Sequence, residues 1–169
     1  MPGPLDNVGF TQGFVSALTD VDTYARDLLG SIRRELNGIY KYVQFGSSVA
    51  AGPTAAIAAG STVCYVLPAG NAQLQRMFLV DSANSALGAG IAQAAVPTGQ
   101  GLQFGWIQIR GTATLGAALA SGAVGNTITT SGAAAGNMKV AAAVTDTPAG
   151  VVVDLTTSTA PVVMLSFPY

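Results

Sequence analysis

Asn37-Gly38, set between two short runs of strand-forming residues, limits what the surrounding chain can become. Asn-Gly is the strongest short-range hairpin signal, because both central residues of a type I′ turn need positive φ. Ser31–Leu36 and Ile39–Phe45 are therefore read as paired strands. A two-residue turn at Asn37-Gly38 sets Leu36 opposite Ile39, Glu35 opposite Tyr40, Arg33 opposite Tyr42 and Ile32 opposite Val43. One face then carries Ile32, Leu36, Ile39 and Val43, and the other Arg33, Glu35, Tyr40 and Tyr42. A helix competes for the first half. Val15, Leu18, Val21, Ala25, Leu28, Ile32 and Leu36 have helical spacing, with Asn37-Gly38 as a C-cap. Gly30 interrupts that helix, which favours the hairpin.

Beyond the hairpin, short apolar runs alternate with turn formers. The runs are Ser61–Leu67, Leu74–Val80, Gly90–Val96, Gln103–Arg110, Val124–Thr130, Met138–Val144, Gly150–Leu155 and Val162–Phe167. Gln103–Arg110 alternates, with Phe104 and Trp106 on one face and Ile107 and Ile109 on the other. Such punctuation predicts an all-β antiparallel β-sandwich or barrel-like domain. At most one or two short helices are expected, over Thr19–Arg26 with Thr19 as N-cap and over the Ala- and Leu-rich Leu115–Ala123. Residues 1–28 lack strand alternation and begin with Pro2, Gly3 and Pro4, so they read as an extended N-terminal arm, with 29–169 as the β-rich domain. Phe10 and Phe14, each after a glycine, are the arm's anchors, either on a partner or on the protein's own core.

Charge is scarce and uneven. Only 9% of residues are charged, against roughly 25% in an ordinary soluble domain. Residues 1–45 hold five acids and four bases, and the stretches 42–75, 82–109 and 111–138 hold none. Interspersed charge normally keeps small domains apart, so this surface reads as one that spends its life in contact with other chains. A mean hydropathy of +0.47 raises the question of a membrane. The apolar windows are too short and too broken by Gly, Pro and Gln for the ~20 residues a spanning helix needs. The first residues lack the basic and apolar regions of a secretory signal, so the chain is expected to be made in a cytosol and to stay there or leave by lysis.

The residue inventory argues against an enzyme. There is no histidine and one cysteine, Cys64, which reads as a small buried hydrophobe. Serine nucleophiles have no imidazole partner, and zinc or haem has no ligand set. Asp20-x-Asp22 lacks the further oxygen ligands of a calcium loop, and no cofactor is expected. Seven dispersed bases against eight acids make no nucleic-acid patch. Arg33, Arg34 and Lys41 form a small basic spot on the hairpin, read either as a solvated edge that discourages strand addition or as a docking site.

The order of features resembles the head decoration, or cement, proteins of tailed bacteriophages. The resemblance rests on Leu29-Gly30 before a basic strand, Asn37-Gly38-x-Tyr40-x-Tyr42-Val43, the small-residue segment Val49-Ala50-Ala51-Gly52, Gly105-Trp106-Ile107-Gln108-Ile109-x-Gly111 and a final strand before Pro168-Tyr169. It implies a β-rich protein on the outer surface of the virion capsid, made in the host cytoplasm, whose partners are the major capsid protein and itself, as a homotrimer. Such proteins bridge neighbouring capsomers against internal DNA pressure, and their arms order on the shell. The long, Phe-bearing lead departs from the family's pattern. The expected capsid-docking residues are Phe10, Phe14, Arg33, Arg34 and Lys41. The alternative is a tail or fibre component binding a host surface, for which clustered aromatics in loops would be expected.

Overall fold

The computed structural model describes residues 13–35, 37–46, 51–65, 77–79, 88–119, 122–130, 136–157 and 159–167. Its strands are β1 (Val21–Asp22), β2 (Ile32–Glu35), β3 (Gly38–Phe45), β4 (Thr62–Tyr65), β5 (Met77–Leu79), β6 (Gly88–Ala92), β7 (Gln103–Thr114), β8 (Thr127–Thr130), β9 (Met138–Val140), β10 (Gly150–Asp154) and β11 (Val162–Ser166). The fold is all-β, and every run expected as a strand contributes one. No helix occurs among the described residues. Both expected helices fail because their backbone groups are used elsewhere. Val21 and Asp22 pair with Gly105 and Phe104 of β7. The amides of Leu115 and Gly116 donate to the carbonyls of Pro161 and Gly60, 3.0 Å away in each case. Tertiary pairing overrides local propensity at both places.

All strands join one sheet, antiparallel except for the β3–β5 pair. It is not closed as a whole, ending at β2 and β9. Within it, however, β3 pairs with β5, β5 with β4, β4 with β6, β6 with β7 and β7 with β3, so these five strands surround a shared interior. The long β7 organises the molecule. β3 runs along one edge of it, while β1, β6 and β11 take successive stretches of the other.

Apolar residues are buried on both faces of the β3–β7 pair. On one face Val43, Phe45, Ile107 and Ile109 join Val63, Ile91, Ile128, Val152, Val163, Leu165 and Phe167 in the main core. On the other, Tyr40, Tyr42, Phe104 and Trp106 form a second cluster, covered by Phe14, Leu18, Leu29 and Leu102. The near-continuous burial of β3 and of the first part of β7 reflects this double coverage.

The hairpin forms, with a register two residues from the expected one. Glu35 lies opposite Gly38, Arg34 opposite Ile39, Arg33 opposite Tyr40 and Ile32 opposite Lys41. A shift of two preserves which residues share a face, because the side-chain period is two. Gly38 is thus not a turn residue but a strand residue, paired with Glu35 and with Gly111. Gly38 is needed there for close approach, since a Cβ on it would stand 2.5 Å from Gln108 Nε2 and 2.9 Å from the Arg110 carbonyl. The expected partner of Ile39, Leu36, lies outside the described residues, as does Phe10.

Candidate docking surfaces

Residues 13–28 of the expected N-terminal arm lie against the domain, together with Leu29, as a strap over the second aromatic cluster. Phe14 packs edge-on against Trp106, with ring centroids 5.2 Å apart, and Tyr42 meets the same indole at 5.1 Å. Such aromatic pairs add roughly 0.5–1.5 kcal/mol to the area they bury. Polar bonds fix the strap's path. The Ser16 carbonyl accepts from Trp106 Nε1 and from Arg33 Nη1, each at 3.2 Å. The Asp27 carboxylate accepts from the amides of Val15 and Ser16 at 3.1 and 3.0 Å. Further along, the Tyr42 hydroxyl donates to Asp22 Oδ2 at 3.0 Å, and Asp22 Oδ1 is paired with Arg26 Nε at 2.9 Å. Burial is the main cause that pushes the Tyr42 phenol up to about 12, with the Asp22 carboxylate adding to it.

The residues expected to dock separate into different environments. Phe14 and Arg33 come together, with the Arg33 guanidinium 5.6 Å from the Phe14 ring centroid and 5.8 Å from that of Trp106. Arg33 also forms an ion pair with Glu35. These two residues hold the strap. Lys41 is turned into the main core and is 3% exposed, so it is not part of a surface basic spot. Its ammonium donates to the Tyr65 hydroxyl at 3.4 Å and stands 5.5 Å from that ring's centroid. Desolvation lowers the Lys41 pKa and raises that of Tyr65. Lysine at position 41 falls on the Ile39–Val43 face by period-two alternation, a placement the sequence reading passed over. Arg34 is exposed on the outside of the hairpin.

Arg34 borders an open groove of about 510 Å³ between the hairpin and β11, lined also by Glu35, Ile39, Arg110, Thr112 and Met164. Beyond it, β10 and β11 alternate between buried and outward-facing residues, yet apart from Ser166 their exposed residues are apolar. Val151, Val153 and Met164 are 41%, 44% and 48% exposed, and Val151 pairs directly with Met164. These residues fall in the expected strand runs Gly150–Leu155 and Val162–Phe167, which by themselves assign them no outward role, since apolar side chains on a half-buried strand are normally placed inward.

Cys64, the one cysteine of the sequence, is buried. No three His, Cys, Asp or Glu side chains converge as a metal site among the described residues. No helix among them is long and apolar enough to cross a membrane. The chain matches no protein-family model, no curated protein and no solved structure.

Proposed function

We propose that this protein is a structural component of a virus particle, a capsid decoration protein that binds the outside of a phage head and stabilises the shell by bridging neighbouring capsomers. On this reading it acts as a homotrimer, takes the major capsid protein as its partner and performs no catalysis. The reading rests on the sequence resemblance and on one observation above all, the outward apolar strip Val151, Val153 and Met164 on a strand pair of a charge-poor sheet. Exposed apolar residues grouped on one face mark association surfaces. A protein with few charges gains little from staying apart from its copies, and several weak contacts on one lattice raise avidity by ~10²–10⁴ over a single contact.

The test is sedimentation of the full chain with emptied, expanded phage heads and, separately, with host envelopes. Co-pelleting with heads alone supports decoration, and co-pelleting with envelopes alone replaces it with the host-binding alternative. Light scattering that gives a strictly monomeric mass at micromolar concentration removes the trimer.

A further inference from the structure

We infer that the cleft beside the Ile39–Tyr40 bulge, lined by Tyr40, Gln108 and Asn37, binds an uncharged sugar ring. The cleft has a volume of about 320 Å³ and lies between β3, β6 and the second half of β7. A water takes ~30 Å³ and small-molecule sites begin near ~300 Å³, so there is room for one pyranose. Among the described residues its lining carries no charged side chain, and Gln93, Thr112 and Thr114 add further neutral polar groups.

Two buried polar groups open into this cleft without a partner. The Tyr40 side chain is 7% exposed, yet its hydroxyl makes no hydrogen bond among the described residues. Gln108 is 3% exposed, and its Nε2 gives both hydrogens to carbonyls, those of Arg110 at 3.2 Å and Thr112 at 2.9 Å. That fixes the amide's orientation, since a flipped amide would set Oε1 against two carbonyl oxygens. Oε1 is left on the wall of the cleft as an acceptor with no donor among the described residues. Gly38 makes room for this amide, because a Cβ there would stand 2.5 Å from Nε2. Buried polar groups are nearly always bonded, so a phenol and an amide oxygen open to one cleft call for a ligand that both donates and accepts.

The chemistry of the lining selects the ligand. Each sugar hydroxyl donates and accepts, and a pyranose carries several around a rigid ring, which suits a phenol, carboxamides and threonine hydroxyls set around one cavity. An ionic ligand would lose hydration with no counter-charge to replace it, because Glu35 and Arg33, the charged groups that act on Tyr40, are paired with each other. An extended peptide would need a free strand edge. Here β7 is paired with β3 on one side and with β6 and β11 on the other. The inference goes beyond capsid decoration and does not rest on it, so neither outcome of the sedimentation with heads bears on it.

The test is an NMR titration of the full ¹⁵N-labelled chain with glucose, galactose, mannose and N-acetylglucosamine, each to 100 mM, with glycerol and sodium phosphate as controls. At least one of the four sugars should give saturable shifts of the Gln108 and Asn37 side-chain amides, half-complete at millimolar concentration, while the controls do not saturate. Tyr40→Phe should weaken that binding at least fivefold without lowering the thermal midpoint, because the hydroxyl has no bond to lose in the free protein. Thr114→Val, on the exposed rim, should weaken it about two- to threefold and leave the midpoint unchanged. Failure of all four sugars to saturate, an equal response to glycerol, saturation by phosphate, or undiminished binding in both variants overturns the inference. A lowered midpoint for Tyr40→Phe also overturns it, by showing that the hydroxyl is bonded within the chain.

Discussion

Trp106 donates its indole N–H to the carbonyl oxygen of Ser16, 3.2 Å away and 90 residues earlier in the chain. That bond joins the central strand to the strap, and the Phe14 and Tyr42 rings close around it. Trp106→Phe keeps an aromatic ring but removes the donor and leaves space in a buried cluster. Its expected cost is about 2–3 kcal/mol, read from urea unfolding.

Asp27→Asn tests the strap by itself. The change keeps the side chain's shape and removes its charge, weakening the bonds from the amides of Val15 and Ser16. Hydrogen exchange at those two amides should accelerate about tenfold, the equivalent of roughly 1.4 kcal/mol, while exchange in β7 stays slow. Equal acceleration in β7 would mean that strap and sheet open together.

Alkaline pH should act in two opposed directions. The folded-state pKa of Tyr42 is raised from 10.0 to about 12, so its contribution is fully present below pH 10 and is lost as pH rises to about 12. Two units correspond to at most about 3 kcal/mol, and Tyr40 and Tyr65, raised in the same direction, add to the fall. Lys41 is shifted down from 10.5, so the unfolded chain binds more protons there and stability rises with pH from its lowered folded value up to 10.5. Urea midpoints should therefore climb slightly before pH 10 and then drop. Tyr42→Phe should flatten most of the drop, and Lys41→Met should remove the climb.

Much of this was legible from alternation alone. The division of the hairpin into an Ile32–Ile39–Val43 face and an Arg33–Tyr40–Tyr42 face follows from period two and survives the register error. So does the assignment of Phe104 and Trp106 to one side of β7. The turn position was not legible, because Asn-Gly signals a type I′ turn by its backbone preference, whereas Gly38 is required by the nearness of Gln108 and Arg110, a tertiary fact. The burial of the tyrosine face was missed for the same kind of reason. A two-residue strand such as Val21–Asp22 carries no periodicity, and what holds the strap is Ser16 and Asp22 bonding to residues farther along the chain, with Asp27 bonding back to the amides of Val15 and Ser16. Arg34 and Arg110 look unrelated in sequence and are brought to one groove only by Ile39, which pairs with both.

Two glycines with positive φ should respond very differently to alanine. At Gly99, φ is 73° and nothing lies within 4 Å of an added Cβ, so Gly99→Ala should cost only the left-handed backbone penalty, about 1–2 kcal/mol. At Gly111, φ is 93°, and an added Cβ would run into the Asn37 carbonyl and stand 2.7 Å from the Gly38 Cα. Gly111→Ala adds that clash to the backbone penalty, where β7 passes from β3 to β11. It should cost at least about 3 kcal/mol by thermal unfolding, and the gap between the two variants measures the close approach.

Thr62 offers a stabilising change. It is 2% exposed, and its hydroxyl has no hydrogen-bond partner among the described residues, while its own amide donates to the Gly136 carbonyl at 2.8 Å. A buried hydroxyl without a partner carries its desolvation cost uncompensated. Valine has nearly the same shape, is at least as strand-prone and leaves the backbone bond intact. Thr62→Val should raise stability by about 1 kcal/mol, seen as an upward shift of the urea midpoint at unchanged slope. Thr62→Ser, which keeps the hydroxyl and loses the methyl, should instead lower the midpoint. A destabilised valine variant would show that the Thr62 hydroxyl is bonded in solution.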